Sequence, residues 1–221
     1  MATGVSYRRL GIPRLEALTG AGVFYGAAVT EAKAMSNERV FVVGGGNSAG
    51  QAAVHLAKFA EQVTVLVRGP SLAESMSNYL VKELEREPNI EIRYQTEVVD
   101  AQGETRLERL TLRDGKSGRT ETVPAAAIFI LVGAEPRTGW LPDAIKRDRW
   151  GYVLTGNDLR RNHRTAASCW PLERPPMLLE TSMPGVFAVG DVRHASVKRV
   201  ASAVGEGSIS IRMVHEYLVD Q

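Results

Sequence analysis

Val40-Phe41-Val42-Val43-Gly44-Gly45-Gly46-Asn47-Ser48-Ala49-Gly50 decides how this chain folds. Four apolar residues in a row, without polar alternation, read as a strand buried on both faces. The run stops at three glycines. Ala49, Ala52, Ala53, Leu56, Ala57 and Ala60 then fall at helical spacing across Ser48 to Glu61, and Val63 to Val67 reads as a second short strand. Residues 39–68 are therefore expected to form a β-α-β unit. In Gly44-x-Gly46-x-x-Ala49, Gly44 permits the tight turn off the strand and Gly46 lets the backbone approach a pyrophosphate. Ala49 keeps the helix close to the strands. The free N–H groups near Asn47 and Ser48 point at the phosphates, and the helix dipole adds attraction. A glycine turn packed without ligand is the plainer alternative. The strand before it, the small-residue helix after it and the second strand at the right distance favour the dinucleotide.

The end of the second strand chooses the nucleotide. An NAD site places Asp or Glu there for the ribose 2′-hydroxyl, roughly 20 residues past the glycines. Here the strand ends Leu66-Val67-Arg68-Gly69. A guanidinium in place of a carboxylate suits a 2′-phosphate, so NADPH is expected over NADH. Ser71 and Ser75 are candidate neutral donors beside it.

Working outward, residues 5–35 are mixed, with turn signals at Gly11-Ile12-Pro13 and Gly20-Ala21-Gly22. Ser75 to Arg86 reads as a helix and Asn89 to Tyr94 as a third strand. Residues 106–123 carry the alternation of an antiparallel hairpin, with the glycines of Asp114-Gly115-Lys116-Ser117-Gly118 supplying its turn. Ala127 to Val132 is another buried-strand run, and Val186 to Val189 a last one before Gly190-Asp191. About 137–184 is loop-rich, and its late prolines argue against regular structure. Lys198 to Leu218 reads as the C-terminal helix.

Composition narrows the function class. The net charge is +2, with 44% apolar and 24% charged residues. That is too little charge for a nucleic-acid or membrane footprint. Arg160, Arg161 and Arg164 read as solvated loop. No stretch approaches the ~20 apolar residues of a membrane helix, and no secretory signal is visible. The single cysteine, Cys169, excludes an internal disulfide, which fits a cytosolic location. His163 and His194 read as solvated. No catalytic residue and no metal ligand set stand out.

Several segments together resemble the thioredoxin-reductase branch of the pyridine nucleotide-disulphide oxidoreductases. They are Ala2-Thr3-Gly4, Gly22-Val23-Phe24-Tyr25, the Val42 to Gly50 run, Gly133-Ala134-Glu135-Pro136, Pro184 to Arg193 (PGVFAVGDVR) and Lys198 to Gly207 (KRVASAVGEG). The resemblance covers nearly the whole chain in the right order. It is strongest to the subgroup that often follows a cyclic-nucleotide-binding domain, although no such domain is visible here. It implies an α/β fold: a Rossmann-like NADP(H)-binding domain over 11–134, and a partial FAD-binding domain from 1–10 and 135–221. Thr3, Gly4, Gly133 and Gly190 then join the cofactor-binding set. Asp191 would bond the flavin's ribityl chain, and Lys198, Arg199, Val200 and Ala201 would face its ring.

Three departures qualify that implication. The family usually has two adjacent arginines at the 2′-phosphate, where this chain has Arg68-Gly69. Its Cys-x-x-Cys corresponds here to Gly26-Ala27-Ala28-Val29, so thioredoxin reduction is not expected, because disulfide exchange needs an attacking and a resolving thiol. The FAD domain's first βαβ unit has no counterpart, so the chain is expected to be an N-terminally truncated member. The leading expectation is the NADPH-binding part of a flavin-dependent oxidoreductase without dithiol chemistry, with its electron acceptor unassigned. The alternatives are a non-catalytic NADP(H)-binding module, a gene fragment, and a ferredoxin–NADP reductase-like enzyme. Homo-oligomerisation, or a partner chain supplying the other FAD half, is the expected association.

Overall fold

The structure, a computed structural model, describes residues 1–26, 31–161 and 170–219. Expectations placed on Ala27, Ala28, Val29, His163, Arg164 and Cys169 lie outside these residues. The first elements are β1 (Val5–Tyr7), α1 (Pro13–Ala17), β2 (Val23–Tyr25), β3 (Arg39–Val43), α2 (Asn47–Ala57) and β4 (Gln62–Val67). Then come α3 (Asn78–Arg86), β5 (Ile90–Tyr94), β6 (Thr96–Gln102), β7 (Arg109–Asp114), β8 (Thr120–Pro124) and β9 (Ala127–Ile130). The chain ends with β10 (Ala134–Pro136), α4 (Asp158–Arg161) and α5 (Val200–Val219). Contacts divide it into two compact units, Tyr7–Gly133 and Met1–Ser6 with Ala134–Gln221.

The first unit is α/β in three layers. Its centre is a five-stranded parallel sheet in the order β2-β9-β3-β4-β5. One face takes α2 and α3: Val40, Val42, Val63 and Val65 pack against Ala49, Ala53, Leu56, Leu80 and Leu84. The opposite face takes α1 and the antiparallel sheet β6-β7-β8, where Phe41, Leu66, Ile128 and Ile130 meet Leu15, Val98, Leu110 and Leu112. Both faces are covered, so β3 has no polar side to present, and its apolar run follows from that.

Local chemistry moves several boundaries. The helix expected from Ser75 begins at Asn78. The side-chain oxygen of Asn47 accepts from both the backbone N–H and the hydroxyl of Ser77, at 2.8 and 3.1 Å, which holds Ser77 extended. In the hairpin turn only Gly118 has positive φ, and Gly115 does not. The turn is set instead by Asp114 Oδ1, which accepts from the N–H groups of Lys116 and Ser117 and from the Ser117 hydroxyl.

In the second unit β1 pairs with β10. Val186 to Val189 forms no named strand; its regular pairing is a single bridge, Glu180 to Phe187. Its hydrogen bonds go to irregular chain, from Ala188 N–H to Leu179 O and from Val189 N–H to Met1 O, both 2.9 Å. Arg160 and Arg161, expected in loop, end the short helix α4. Two ion pairs brace this unit. Glu180 is fully buried and takes Arg174 in a two-pronged contact of 2.8 Å each, plus the N–H groups of Met177 and Gly185 at 2.9 Å. Glu206 on α5 takes Arg193 and the Gly190 N–H. Burial opposes ionisation of both carboxyls, but these donors outweigh it and hold both below the usual glutamate range.

A carboxyl depressed in the folded state stabilises it above the ordinary glutamate value, about 4.3, and that contribution is lost as pH falls through the depressed value. Acid unfolding of this unit should therefore begin below that value, and Glu180→Gln should blunt the slope. The substitution should also cost about 2–3 kcal/mol in urea denaturation, because it breaks a buried pair whose arginine still reaches water. An unchanged midpoint would contradict the bracing role.

Candidate dinucleotide site

The parallel strands share one carboxyl edge, made by the ends of β2, β9, β3, β4 and β5. From β3 the chain builds β4 and β5 on one side, then returns to place β9 on the other. That reversal between β3 and β9 is the switch point outside which α/β sheets bind ligands. Gly44 leaves β3 there, its N–H donating to Leu66 O at 3.1 Å, while Leu131 N–H donates to Val43 O at 2.8 Å.

The three glycines have different surroundings. At Gly44 φ is +149°, and an added Cβ would lie 2.6 Å from Leu131 O and 3.0 Å from the Ala49 Cβ. At Gly45 an added Cβ would meet Ser75 Oγ at 3.3 Å, so this glycine serves packing. At Gly46 the nearest atom would be 3.9 Å away, which leaves the loop open on that side. Gly46 caps α2, and the first bonds back to its carbonyl come from Ala49 and Gly50. The N–H groups of Gly46, Asn47 and Ser48 are thus those a helix start leaves over, and Asn47 and Ser48 are exposed. A buried Ala49 sits beneath them. These residues fit a pyrophosphate: donors without helical partners, a positive dipole end and no side chain in the way.

Arg68 follows directly on β4. It is exposed and makes no hydrogen bond or ion pair among the described residues. Beside it, Gly69 O accepts from Gln95 N–H at 3.1 Å, and Ser71 Oγ accepts from Ala73 N–H at 3.0 Å, leaving the Ser71 proton for a ligand. Ser75 is not the free donor expected, because its hydroxyl donates to Gly45 O at 2.7 Å. Its role is to tie the 71–77 segment over the glycine loop, which composition could not reveal. Gly133, just past β9, is exposed with φ +98°.

The second unit brings together the other expected residues. Thr3 Oγ1 donates to Arg137 O at 3.1 Å, and Gly4 O accepts from Arg137 N–H. The Gly190 N–H is spent on Glu206, at 2.6 Å. The half-buried Asp191 carboxylate has no hydrogen-bond partner among the described residues, which suits an acceptor for ligand hydroxyls. Lys198 lies over the Tyr152 ring at 4.3 Å, and Arg199 folds onto Lys198 O. Both precede α5, whereas Val200 and Ala201 open it as exposed residues. These groups fit the ribityl and ring side of a flavin. His194, expected to be merely solvated, pairs with Asp148 at 2.8 Å.

At the end of β2, Tyr25 donates to Glu16 at 2.5 Å, and Arg9 holds the other Glu16 oxygen at 2.8 Å. Burial, then the bond to Glu16, pushes the Tyr25 hydroxyl up to about 12, so it stays protonated. Gly26 follows with φ +97°, and an added Cβ would lie 3.2 Å from the Tyr7 ring.

Comparison with known proteins agrees with this geometry. The sequence profile described as pyridine nucleotide-disulphide oxidoreductase matches residues 1–207. The chain belongs to that family. Among relatives, it is 29% identical to a thioredoxin reductase of Treponema pallidum (strain Nichols) over 218 residues, covering 99% of this chain and 63% of that protein. To the Streptomyces clavuligerus thioredoxin reductase it is 32% identical, covering 99% and 61%. The crystal structure of thioredoxin reductase from Streptococcus pyogenes MGAS5005 superposes with a TM-score of 0.75 at 29% identity, over 100% of this chain and 65% of that one. The chain thus spans about three fifths of the length of the curated relatives it matches.

Gly26 is the position that the resemblance gives to the family's first cysteine. NADPH-driven reduction of a small disulfide reagent by the unmodified chain should stay at background, even with FAD added, because disulfide exchange needs an attacking and a resolving thiol. Gly26→Cys alone should lower stability by roughly 1–2 kcal/mol, since a side chain is strained at this φ, and Tyr7→Ala should restore part of it in urea denaturation. Full stability of the single variant would show that position 26 is free of these constraints.

Proposed function

We propose that this chain binds NADPH along the carboxyl edge of its parallel sheet and serves a flavin-dependent oxidoreductase that works without a dithiol. The pyrophosphate would rest on Gly44 to Ser48 at the start of α2. The adenosine would run toward β4, with Arg68 and the Ser71 hydroxyl on the 2′-phosphate and Gly69 leaving the approach open. The nicotinamide would run the other way, over β9 toward β2. The second unit would offer Asp191 to ribityl hydroxyls and the start of α5 to the flavin ring, where unpaired helix N–H groups favour negative charge. When both cofactors are bound, nicotinamide supplies the hydride and flavin accepts it. The protein's own part is positioning, since no side chain at either place is set up as a catalytic acid or base.

The observation that carries this reading is a tight glycine turn at Gly44, opening onto a helix start and followed by an arginine that has no partner among the described residues. Gly26 in place of a thiolate supports the absence of dithiol chemistry. Calorimetric titration should show tighter binding of NADPH than of NADH. A charge-assisted contact contributes about 1.5–3 kcal/mol, so Arg68→Ala should erase roughly a tenfold to hundredfold preference. Equal affinity of the unmodified chain for the two nucleotides would refute the assignment of Arg68.

A further inference from the structure

Past the carboxyl end of β2, Glu31 heads a short 3₁₀ helix, Ala32–Met35. The Ala34 N–H donates to the Glu31 backbone carbonyl at 3.0 Å, but the Glu31 side chain makes no capping bond. This turn is seated on α2. Ala32 is fully buried in the cluster that holds Ala49 and Ala53. Phe24 of β2 packs against the same cluster, stacked on Phe129 of β9 at 5.1 Å. Glu31 thus sits where the chain passes from the exit of β2 to the flank of α2. Its Oε2 is buried and has no hydrogen-bond partner. Among the described residues of the first unit, it is the one buried side-chain oxygen or nitrogen in that state. Lys33, two residues on, is exposed and makes no ion pair among the described residues. A buried acceptor without a donor weakens a fold, so such an atom in a native chain calls for an explanation. A carboxylate offers only acceptors, and the missing partner is therefore an N–H or O–H.

On the dinucleotide reading of the carboxyl edge, we propose that Glu31 recognises the nicotinamide carboxamide, its Oε2 accepting from the amide NH₂. The sheet order supplies the reach. Arg68 lies past β4, the glycine loop past β3, and Glu31 past β2 on the other side. From β3 to β2 is two strand spacings, about 10 Å. That span carries a dinucleotide beyond the ribose next to the phosphate and onto the nicotinamide ring, where the carboxamide is the one group with N–H donors. Glu31 then reads the redox-active end of the cofactor, while the 2′-phosphate is left to Arg68. Only the bound state satisfies Oε2, so the contact favours a whole dinucleotide over a fragment that stops at the adenosine.

Calorimetric titration of the 221-residue chain with three ligands tests this. The first is NADP⁺, and the second its acetylpyridine analogue, in which a methyl group replaces the amide nitrogen. The third, adenosine 2′,5′-bisphosphate, lacks the nicotinamide half. The unmodified chain should bind NADP⁺ roughly tenfold to a hundredfold more tightly than the analogue, the range for a hydrogen bond to a charged group. Glu31→Ala should bind those two alike and should bind the bisphosphate as the unmodified chain does, which also shows that the variant folds. If the bisphosphate fails to bind the unmodified chain, the dinucleotide site is overturned and this assignment with it. If the bisphosphate binds, but the unmodified chain takes NADP⁺ and the analogue alike, the Glu31 assignment alone is overturned. A preference for NADP⁺ that survives Glu31→Ala would overturn it as well.

Discussion

The carboxyl edge of this protein's parallel sheet depends on the absence of one carbon atom at Gly44. A Cβ there would press against the Leu131 carbonyl at 2.6 Å and against Ala49 at 3.0 Å. The carbonyl belongs to the backbone that pairs β9 with β3, so it cannot retreat without breaking the sheet at its switch point. Ala49 is the first buried residue of α2, and moving it would lift the helix off the strands. One glycine thus fixes how closely β3, β9 and α2 meet. That closeness in turn aims the unspent N–H groups of α2 outward from the sheet edge.

The second constraint is how the loop after β4 is held. Asn47 spends its side-chain oxygen on Ser77, and Ser75 spends its hydroxyl on Gly45. The side chains of these two residues are the ties between the glycine loop and the segment that carries Arg68 and Ser71. They bring the exposed start of α2 and the Arg68 guanidinium to one edge of the sheet. Arg68 itself has no hydrogen-bond or ion-pair partner among the described residues.

Much of the first unit was legible because its signals are covalent or periodic. The β3 run is apolar throughout since α2 and α3 cover one face and α1 with the β6-β7-β8 sheet the other. The glycine pattern carries its own geometry, with the tight turn at Gly44 and the helix start after Gly46 where the spacing puts them. What was not legible was set by side-chain partners distant in sequence. Ser77 delays α3 because Asn47, thirty residues earlier, claims its N–H. Asp114 makes the hairpin turn that Gly115 was expected to share. Val186 to Val189 has the composition of a strand, but Met1 and Leu179, neither in a named strand, take its bonds. The C-terminal helix was read from the sequence, but that none of the α5 residues is buried is a property of the fold that the sequence did not reveal.

The central claim is that the α2 start and the β4 end form one dinucleotide site. Amide chemical-shift mapping of the isotopically labelled chain, titrated with NADPH, tests it most directly. The account predicts that the largest shifts cluster at Gly45 to Ser48 and at Arg68 to Ser71, two stretches apart in sequence that respond together with one binding curve. Shifts confined to the other edge of the sheet, or absent from the glycine loop at saturating nucleotide, would contradict it.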